Sequence, residues 1–288
     1  MRGFDFLSPP SLTAALRAIE GRGRTYKIIA GGTNVIPNLR DGTIQPRLVV
    51  DLGDVKALRY IKEANGWIKI GAMTTISELR DSGLIKRRAP VLWEATHAFA
   101  GPLVRNRATI GGNLADASPA ADTAVPLLAL NARVRLRRID GRRTIPLNAF
   151  FAGYRKTAMK PGEILTEIAF PVNPQGTKYG YHKLGRRNAM AVSVASVAVV
   201  LHMRGKTCVG AAVSMGAVAS TPIRVKEAEA LLKRSKVDPA LAAQCGELAA
   251  RKSRPIDDMR ASADYRRTVC GTLVRRAICQ SLGLEDQG

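Results

Sequence analysis

Two pairs of adjacent glycines carry the chemistry that this sequence offers most openly. The first lies in residues 28–37, IIAGGTNVIP, and the second in residues 109–130, TIGGNLADASPAADTAVPLLAL. A residue without Cβ lets the backbone take positive φ and lets a ligand approach the main chain closely. The N–H groups of Gly111 and Gly112, with those of Ile110 and Asn113, could line a concave anion site. Gly31 and Gly32, followed by Thr33 and Asn34, make a second corner of the same kind some eighty residues earlier. Two such corners suit a ligand with two linked phosphates, whose oxygens neutral main-chain donors can satisfy without a fixed cation. Taken singly, each pair can equally mark nothing more than a turn.

Other site chemistries find little footing. His97, His182 and His202 have no metal-ligand spacing. Cys208, Cys245, Cys270 and Cys279 form no C-x-x-C pair and read as isolated thiols, not as zinc or iron–sulfur ligands. No G-x-G-x-x-G follows a strand, so a Rossmann dinucleotide site is excluded. Gly205-Lys206-Thr207 ends like a P-loop, but Val200 stands where its first glycine belongs, and the triplet sits in an expected hairpin. No serine–histidine–acid set is legible. The pattern is that of a chain that holds a cofactor, without a substrate-transforming centre of its own.

The elements that must position these corners read as an α+β fold. Ser11 is placed to cap a helix through Ile19, with Gly21 ending it. Residues 27–30 and 48–52 read as short buried strands, and together they suggest a small three-layered βα lobe over residues 1–59. A second lobe, residues 60–173, is expected to be an antiparallel sheet with helices packed on it. It has a strand at 67–70, a helix capped by Thr74 or Thr75 through Arg80, a helix at 90–99, a hairpin of 134–139 with 144–147, and a strand at 164–170. Residues 121–129 have helical spacing, and that helix would begin just after Asp122, whose carboxylate suits a helix start. PVNPQG at 171–176 reads as a linker. Beyond it lies a C-terminal domain, residues 177–288, with strands at 179–183, 192–203 and 207–215 and helices at 227–233, 239–252 and 263–282.

With 288 residues, the chain is long enough for two domains with real cores. Its formal charge of +22 admits nucleic acid, an acidic partner or a plainly basic surface. The basic residues do not alternate with aromatics as a base-stacking surface requires, which argues against nucleic acid. No apolar run reaches the ~20 residues of a membrane span. The longest, residues 189–203, is interrupted by Ser193, Ser196 and His202. The first residues lack the apolar core of a secretory signal, so a cytoplasmic location is expected.

Several stretches in order resemble one family. They are AGGTN at 30–34, FAGPLVRNRATIGGN at 99–113, ASPAAD at 117–122, GEIL at 162–165, FP at 170–171, KLGRRNAMAVS at 183–193, GAVASTPIR at 216–224 and SADYRRTV at 262–269. Together they are similar to the FAD-binding medium subunits of molybdenum hydroxylases, which include the flavoprotein subunits of carbon monoxide dehydrogenases and the flavin domain of xanthine dehydrogenases. The resemblance implies a two-lobed FAD-binding domain of the PCMH type followed by a CO dehydrogenase flavoprotein-like domain. It implies an oxidoreductase subunit that holds FAD non-covalently. Molybdopterin and [2Fe–2S] clusters are expected only on a large and an iron–sulfur small partner subunit, in a dimer of heterotrimers that passes electrons to an external acceptor. Carried over by motif, Ala30, Gly31, Gly32, Thr33 and Asn34, with Ile28, Ile29 and Val35 beside them, match the first diphosphate loop. Thr109, Ile110, Gly111, Gly112 and Asn113 match the second. Phe99 matches an aromatic against the cofactor, or is a core phenylalanine. Asp122 matches an acidic contact, compatible with a helix cap. Leu165 and Lys183 match further contacts, Leu165 to within one residue of register; Lys183 reads equally as a solvated strand lysine.

The chain also departs from that family. Asn34 stands where many members have Asp or Ser, and no acidic residue lies near Met190-Ala191. Asp116 brings a negative charge close to the expected phosphate site, so it must point away or pair with an arginine. A stand-alone flavin dehydrogenase, or a basic binding or assembly protein without cofactor, are the alternatives that the sequence leaves open. The substrate of the assembled enzyme is not written in this chain.

Overall fold

A computed structural model describes residues 3–286; the outermost ends of the two expected domains, residues 1–2 and 287–288, lie outside the described residues. The first lobe is built from β1 (Asp5–Leu7), α1 (Leu12–Ile19), β2 (Tyr26–Ile29), α2 (Val35–Arg40) and β3 (Leu48–Asp51). Ser11 caps α1 by accepting the Ala14 N–H, and the helix buries Ala15, Leu16 and Ile19. The three strands are parallel in the order β1-β3-β2, so each link between them must cross over, and the helices fall in those links. Central placement explains the unbroken apolar run Leu48-Val49-Val50. The edge strand β1 is three exposed residues with no periodic signature, and sequence reading passes over it.

The second lobe opens with β4 (Ile61–Ala64) and β5 (Trp67–Gly71). A run of helices follows: α3 (Ile76–Asp81), α4 (Gly83–Arg88), α5 (Pro90–His97), α6 (Pro102–Arg105), α7 (Ile110–Ala115) and α8 (Ala124–Ala129). The chain then returns through β6 (Arg133–Arg138), β7 (Gly141–Pro146), the small pair β8 (Phe151–Gly153) and β9 (Lys156–Thr157), and β10 (Ile164–Pro171). An antiparallel sheet in the order β4-β5-β10-β6-β7 results. Thr75, not Thr74, caps α3, exchanging hydrogen bonds with Glu78 in a capping box. Thr74 is drawn off by the backbone of Tyr60, whose carbonyl takes its Oγ1 at 3.0 Å.

The third part is an antiparallel sheet of β11 (Thr177–Leu184), β12 (Ala195–Arg204), β13 (Thr207–Gly216) and β14 (Ile223–Arg224), covered by α9 (Lys226–Leu232), α10 (Pro239–Lys252) and α11 (Ala263–Leu282). A Cβ on Gly246 would lie 2.6 Å from the carbonyl oxygen of Gly271, so the bare glycines let α10 and α11 cross closely. Strand β12 begins at Ala195, later than the expected 192, because residues 185–194 leave the sheet and loop outward. Val197, Val199 and Leu201 pack under the C-terminal helices, whereas Ala198 and Val200 join the core of the second lobe. The strand is thus buried on both faces, which is why it reads as a continuous apolar run.

Candidate cofactor-binding site

The two glycine corners meet. A Cβ on Gly31 would sit 1.8 Å from the carbonyl oxygen of Arg107, so the first corner rests directly on the backbone that leads into the second. Gly32 has φ +75°, a left-handed turn that sends the chain from β2 into α2. The Cβ position of Gly112 is 3.8 Å from Ala30 Cβ, which brings the second corner to the same surface. Both face one cleft of about 1350 Å³ where the three parts of the fold converge.

Ile28, Ala30, Gly31, Gly32, Thr33, Asn34 and Val35 line this cleft, as do Phe99, Thr109, Gly111, Gly112, Asn113, Asp122 and Leu165. Ile164 lines it as well, next to a bulge between Leu165 and Glu167 in the pairing of β10 with β6. Three of the sequence candidates stand behind the wall. Ile29 packs with Leu39 and Val49, Ile110 is fully buried in the core of the second lobe, and Lys183 lies beneath Asp122.

The corners differ in what they offer. Among the described residues, no protein acceptor takes the N–H groups of Gly31, Gly32, Thr33 or Asn34. They form a concave set of free donors suited to an anion. The second corner corrects the expectation of a matching set. Ile110 N–H donates to Thr74 O at 3.0 Å, Gly111 N–H to Ala72 O at 2.9 Å, and Asn113 N–H to Thr109 O at 2.9 Å. Gly112 N–H donates to Thr109 Oγ1 at 3.0 Å. The physical reason is that Thr109 caps α7 and pairs with Thr75, so these amides start a helix and close a bridge. Gly112 therefore contributes surface without Cβ, not a donor, while Gly111 is bare because Ala72 lies 2.6 Å from its Cβ position.

Asp122 also departs from its simplest reading. Helix α8 begins at Ala124 with Thr123 at its cap, and no side chain caps it. The buried Asp122 carboxylate instead accepts from Lys183 Nζ at 2.7 Å and from Ser193 Oγ at 2.9 Å. Burial pushes the Asp122 carboxyl up, while the Lys183 ammonium and the Ser193 hydroxyl draw it back down. Lys183 Nζ donates further to Ala98 O at 2.8 Å. It is a buried tie from β11 to the second lobe, not a solvated lysine. Asp116, at the cleft wall, pairs with Arg155 at 3.1 Å, which removes the repulsion that its charge would exert on a phosphate.

Phe99 satisfies both of its readings, since it packs in the core and lines the cleft. It is followed by Ala100 at φ +33°, and Arg105 Nη1 donates to the carbonyls of both residues at 2.7 and 2.8 Å. Met190 at φ +54° and Ala217 at φ +62° also line the cleft. Non-glycine residues hold left-handed backbone only where their surroundings enforce it, and such strain gathers at functional sites. The far wall comes from the C-terminal part: Met190, Val192, Ser220, Arg254, Ile256 and the cluster Asp258, Arg260 and Arg266. Burial works to raise the Asp258 carboxyl, but hydrogen bonds from Arg260 and Arg266 hold it down at about 2. Sequence reasoning missed these contributors as site residues, because residues 253–262 have no periodicity. The signals were that KLGRRNAMAVS, GAVASTPIR and SADYRRTV, which hold Met190, Val192, Ser220 and Arg266, stand among the resembling stretches; Arg254, Ile256, Asp258 and Arg260 lie in none of them.

The comparisons with known proteins show the family and the fold. Residues 2–173 match the family described as the FAD binding domain in molybdopterin dehydrogenase. Residues 179–281 match the CO dehydrogenase flavoprotein C-terminal domain. The chain is 35% identical over 280 residues to the 6-hydroxypseudooxynicotine dehydrogenase complex subunit alpha of Paenarthrobacter nicotinovorans, covering 97% of this chain and 94% of that one. It is 34% identical over 275 residues to the carbon monoxide dehydrogenase medium chain of Afipia carboxidovorans, covering 96% and 95%. A solved carbon monoxide dehydrogenase from Hydrogenophaga pseudoflava, in a form lacking the Mo-pyranopterin moiety, superposes with a TM-score of 0.95 at 32% identity, covering 98% of each chain.

Proposed function

The chain belongs to the FAD-binding medium subunits of the molybdenum hydroxylases, and on that premise we propose that it takes electrons from [2Fe–2S] clusters on a partner subunit and passes them to an external acceptor. It is an oxidoreductase subunit with FAD as its cofactor. Bound FAD supplies the redox step itself, exchanging electrons singly or in pairs, so the chain contributes binding, orientation and electrostatics.

The free N–H groups of Gly31, Gly32, Thr33 and Asn34 would hold the diphosphate. Gly112, with no Cβ, lets that diphosphate lie against α7, and Asn113, whose Oδ1 accepts from Thr123 Oγ1 at 2.6 Å, is held in place beside it. Phe99, Val104, Met190 and Val192 line the cleft, with Met190 against Gly101, and we take them as its apolar end, suited to a flat ring system. Asp122, Lys183 and Ser193 would fix the loop of residues 185–194 against that end. No histidine or cysteine lines the cleft among the described residues, in keeping with a cofactor held without a covalent link.

The names of the relatives, a complex subunit and a medium chain, support work beside other chains. We assign those as an iron–sulfur small subunit and a molybdopterin large subunit, in a dimer of heterotrimers. The division of the chain at residues 173–177, and a cytoplasmic setting, belong to the same proposal. Among the described residues, no helix is long and apolar enough to cross a membrane.

The single observation that carries the proposal is that two glycine corners distant in sequence touch and open onto one cleft. Its test is the absorption spectrum of the purified protein, followed by titration with FAD after stripping. A flavin spectrum and saturable rebinding at one site are expected. A colourless protein that takes up no FAD would overturn the assignment.

A further inference from the structure

Among the described residues, three buried cations stand at or directly behind the cleft: Lys183, Arg266 and Arg105. Two of them face carboxylates, Lys183 that of Asp122 and Arg266 that of Asp258. Arg105 faces none. Among the described residues no acid pairs with it, its Nε is buried without a partner, and only 8% of the residue is exposed. Its Nη1 donates only to carbonyls, those of Phe99 and Ala100 at 2.7 and 2.8 Å, and both residues are cleft wall. With Lys183 on Ala98 O, three successive carbonyls of the turn are held by two buried cations. The charge of Lys183 is neutralised where it stands, whereas that of Arg105 remains, one hydrogen bond behind the apolar end of the cleft. The other cations at the cleft, Arg24, Lys27, Lys160 and Arg254 among them, are less buried and are screened by water.

We propose that Arg105 is a positioning and electrostatic residue: it shapes the Phe99–Ala100 turn and, as an uncancelled buried cation, sets how readily the flavin beside that turn is reduced. This rests on the reading of the cleft as the FAD site with its ring at the apolar end. Two electrons from a partner's iron–sulfur clusters and one proton from solvent leave the reduced ring with one more negative charge than before. A fixed cation in a poorly screened setting favours that added charge, and a guanidinium does not escape its cost by losing its proton. Burial and the nearby Arg80 both press the Arg105 guanidinium toward lower basicity, yet a guanidinium keeps its proton at neutral pH.

The experiment is a dye-equilibrated dithionite titration of the FAD-loaded protein in wild-type, Arg105→Met and Arg105→Lys forms. FAD content is measured first, so a wild-type chain that binds no FAD brings down the underlying reading, separately from the claim about Arg105. Arg105→Met is expected to make two-electron reduction at least tenfold less favourable, a midpoint about 30 mV lower. Arg105→Lys keeps the charge and is expected to stay near the wild-type midpoint, while both variants loosen the turn and weaken FAD binding alike. A purely structural role would move binding in both variants and leave both midpoints unchanged, which overturns the proposal. Should Arg105→Met fail to hold FAD, Arg105→Gln decides. It removes the charge and keeps an amide donor for the carbonyls of the turn. A lower midpoint then supports the proposal, and an unchanged one overturns it.

Discussion

At the scale of single residues, the glycines separate into two kinds that sequence alone does not distinguish. Gly31 is bare because backbone of the same chain lies against it, 1.8 Å from where a Cβ would be. Gly112 is bare toward the cleft, with Thr109 Oγ1 at 2.9 Å and Ala30 Cβ at 3.8 Å from its Cβ position. Gly31→Ala must push the two corners apart. It is expected to lower thermal stability by about 2–3 kcal/mol and to weaken FAD binding as a consequence. Gly112→Ala is expected to cost less stability than Gly31→Ala, because the Thr109 hydroxyl can rotate away at the loss of its cap on α7, about 1 kcal/mol, where the Arg107 carbonyl cannot. Denaturant melts with and without FAD check the order of the two. The Asp122–Lys183 pair gives a further expectation. Asp122→Asn leaves a buried ammonium without its counter-charge, which typically costs about 3–5 kcal/mol. An Asp122→Asn, Lys183→Met double variant is then expected to be less damaged than the sum of the two single changes, measured as a double-mutant cycle. That pairing was invisible in the sequence, since Asp122 and Lys183 both matched cofactor contacts and nothing in their spacing showed that they contact each other.

At the scale of elements, legibility followed periodicity and caps. The bounds of α10 and α11 were readable because Asp238 and Ser262 cap them and α11 ends at Gly283 in the left-handed region. Helix α7 was not readable, for its IGGN core has the composition of a turn and is made helical by the Thr109 cap and by contact with Ala72. The segment between α10 and α11 has neither cap nor period, yet it forms a wall of the cleft through Asp258. That carboxyl sits at about 2 in the fold, against an ordinary value of 3.8. A depressed folded value means that its contribution to stability is present above about pH 4 and is lost as the pH falls toward 2. The melting temperature of the wild-type chain should therefore drop over that window, and Asp258→Asn should be lower at neutral pH and flatter across it. Equal slopes in the two proteins would show that Asp258 does not couple this segment to the fold.

At the scale of the whole molecule, the cleft has no single owner. Its corner of free N–H groups comes from the first lobe, its bare wall from α7 in the second, and its far side from residues 190–193, 217–220 and 254–266. The two-lobe order and the antiparallel C-terminal sheet were readable from strand and helix periods. Their convergence was not, because it depends on β12 presenting one face to each of two cores. PVNPQG has the composition of a flexible linker, but Val172 is hydrogen-bonded to Gly66 O at 2.8 Å and Asn173 Nδ2 to the Tyr179 hydroxyl at 3.2 Å. Cutting the chain there should expose the face of the second lobe that Tyr181, Ala198, Val200 and Ala212 cover. A chain ending at residue 173 keeps both glycine corners and loses the far wall and that cover. It is expected to bind FAD more weakly by roughly two orders of magnitude, the equivalent of about 3 kcal/mol, and to associate through its uncovered apolar face. Mixing it with separately prepared residues 174–288 should restore binding. Tight FAD binding by the first piece alone, read by flavin fluorescence titration, would show that the glycine corners suffice and that the C-terminal wall serves another purpose.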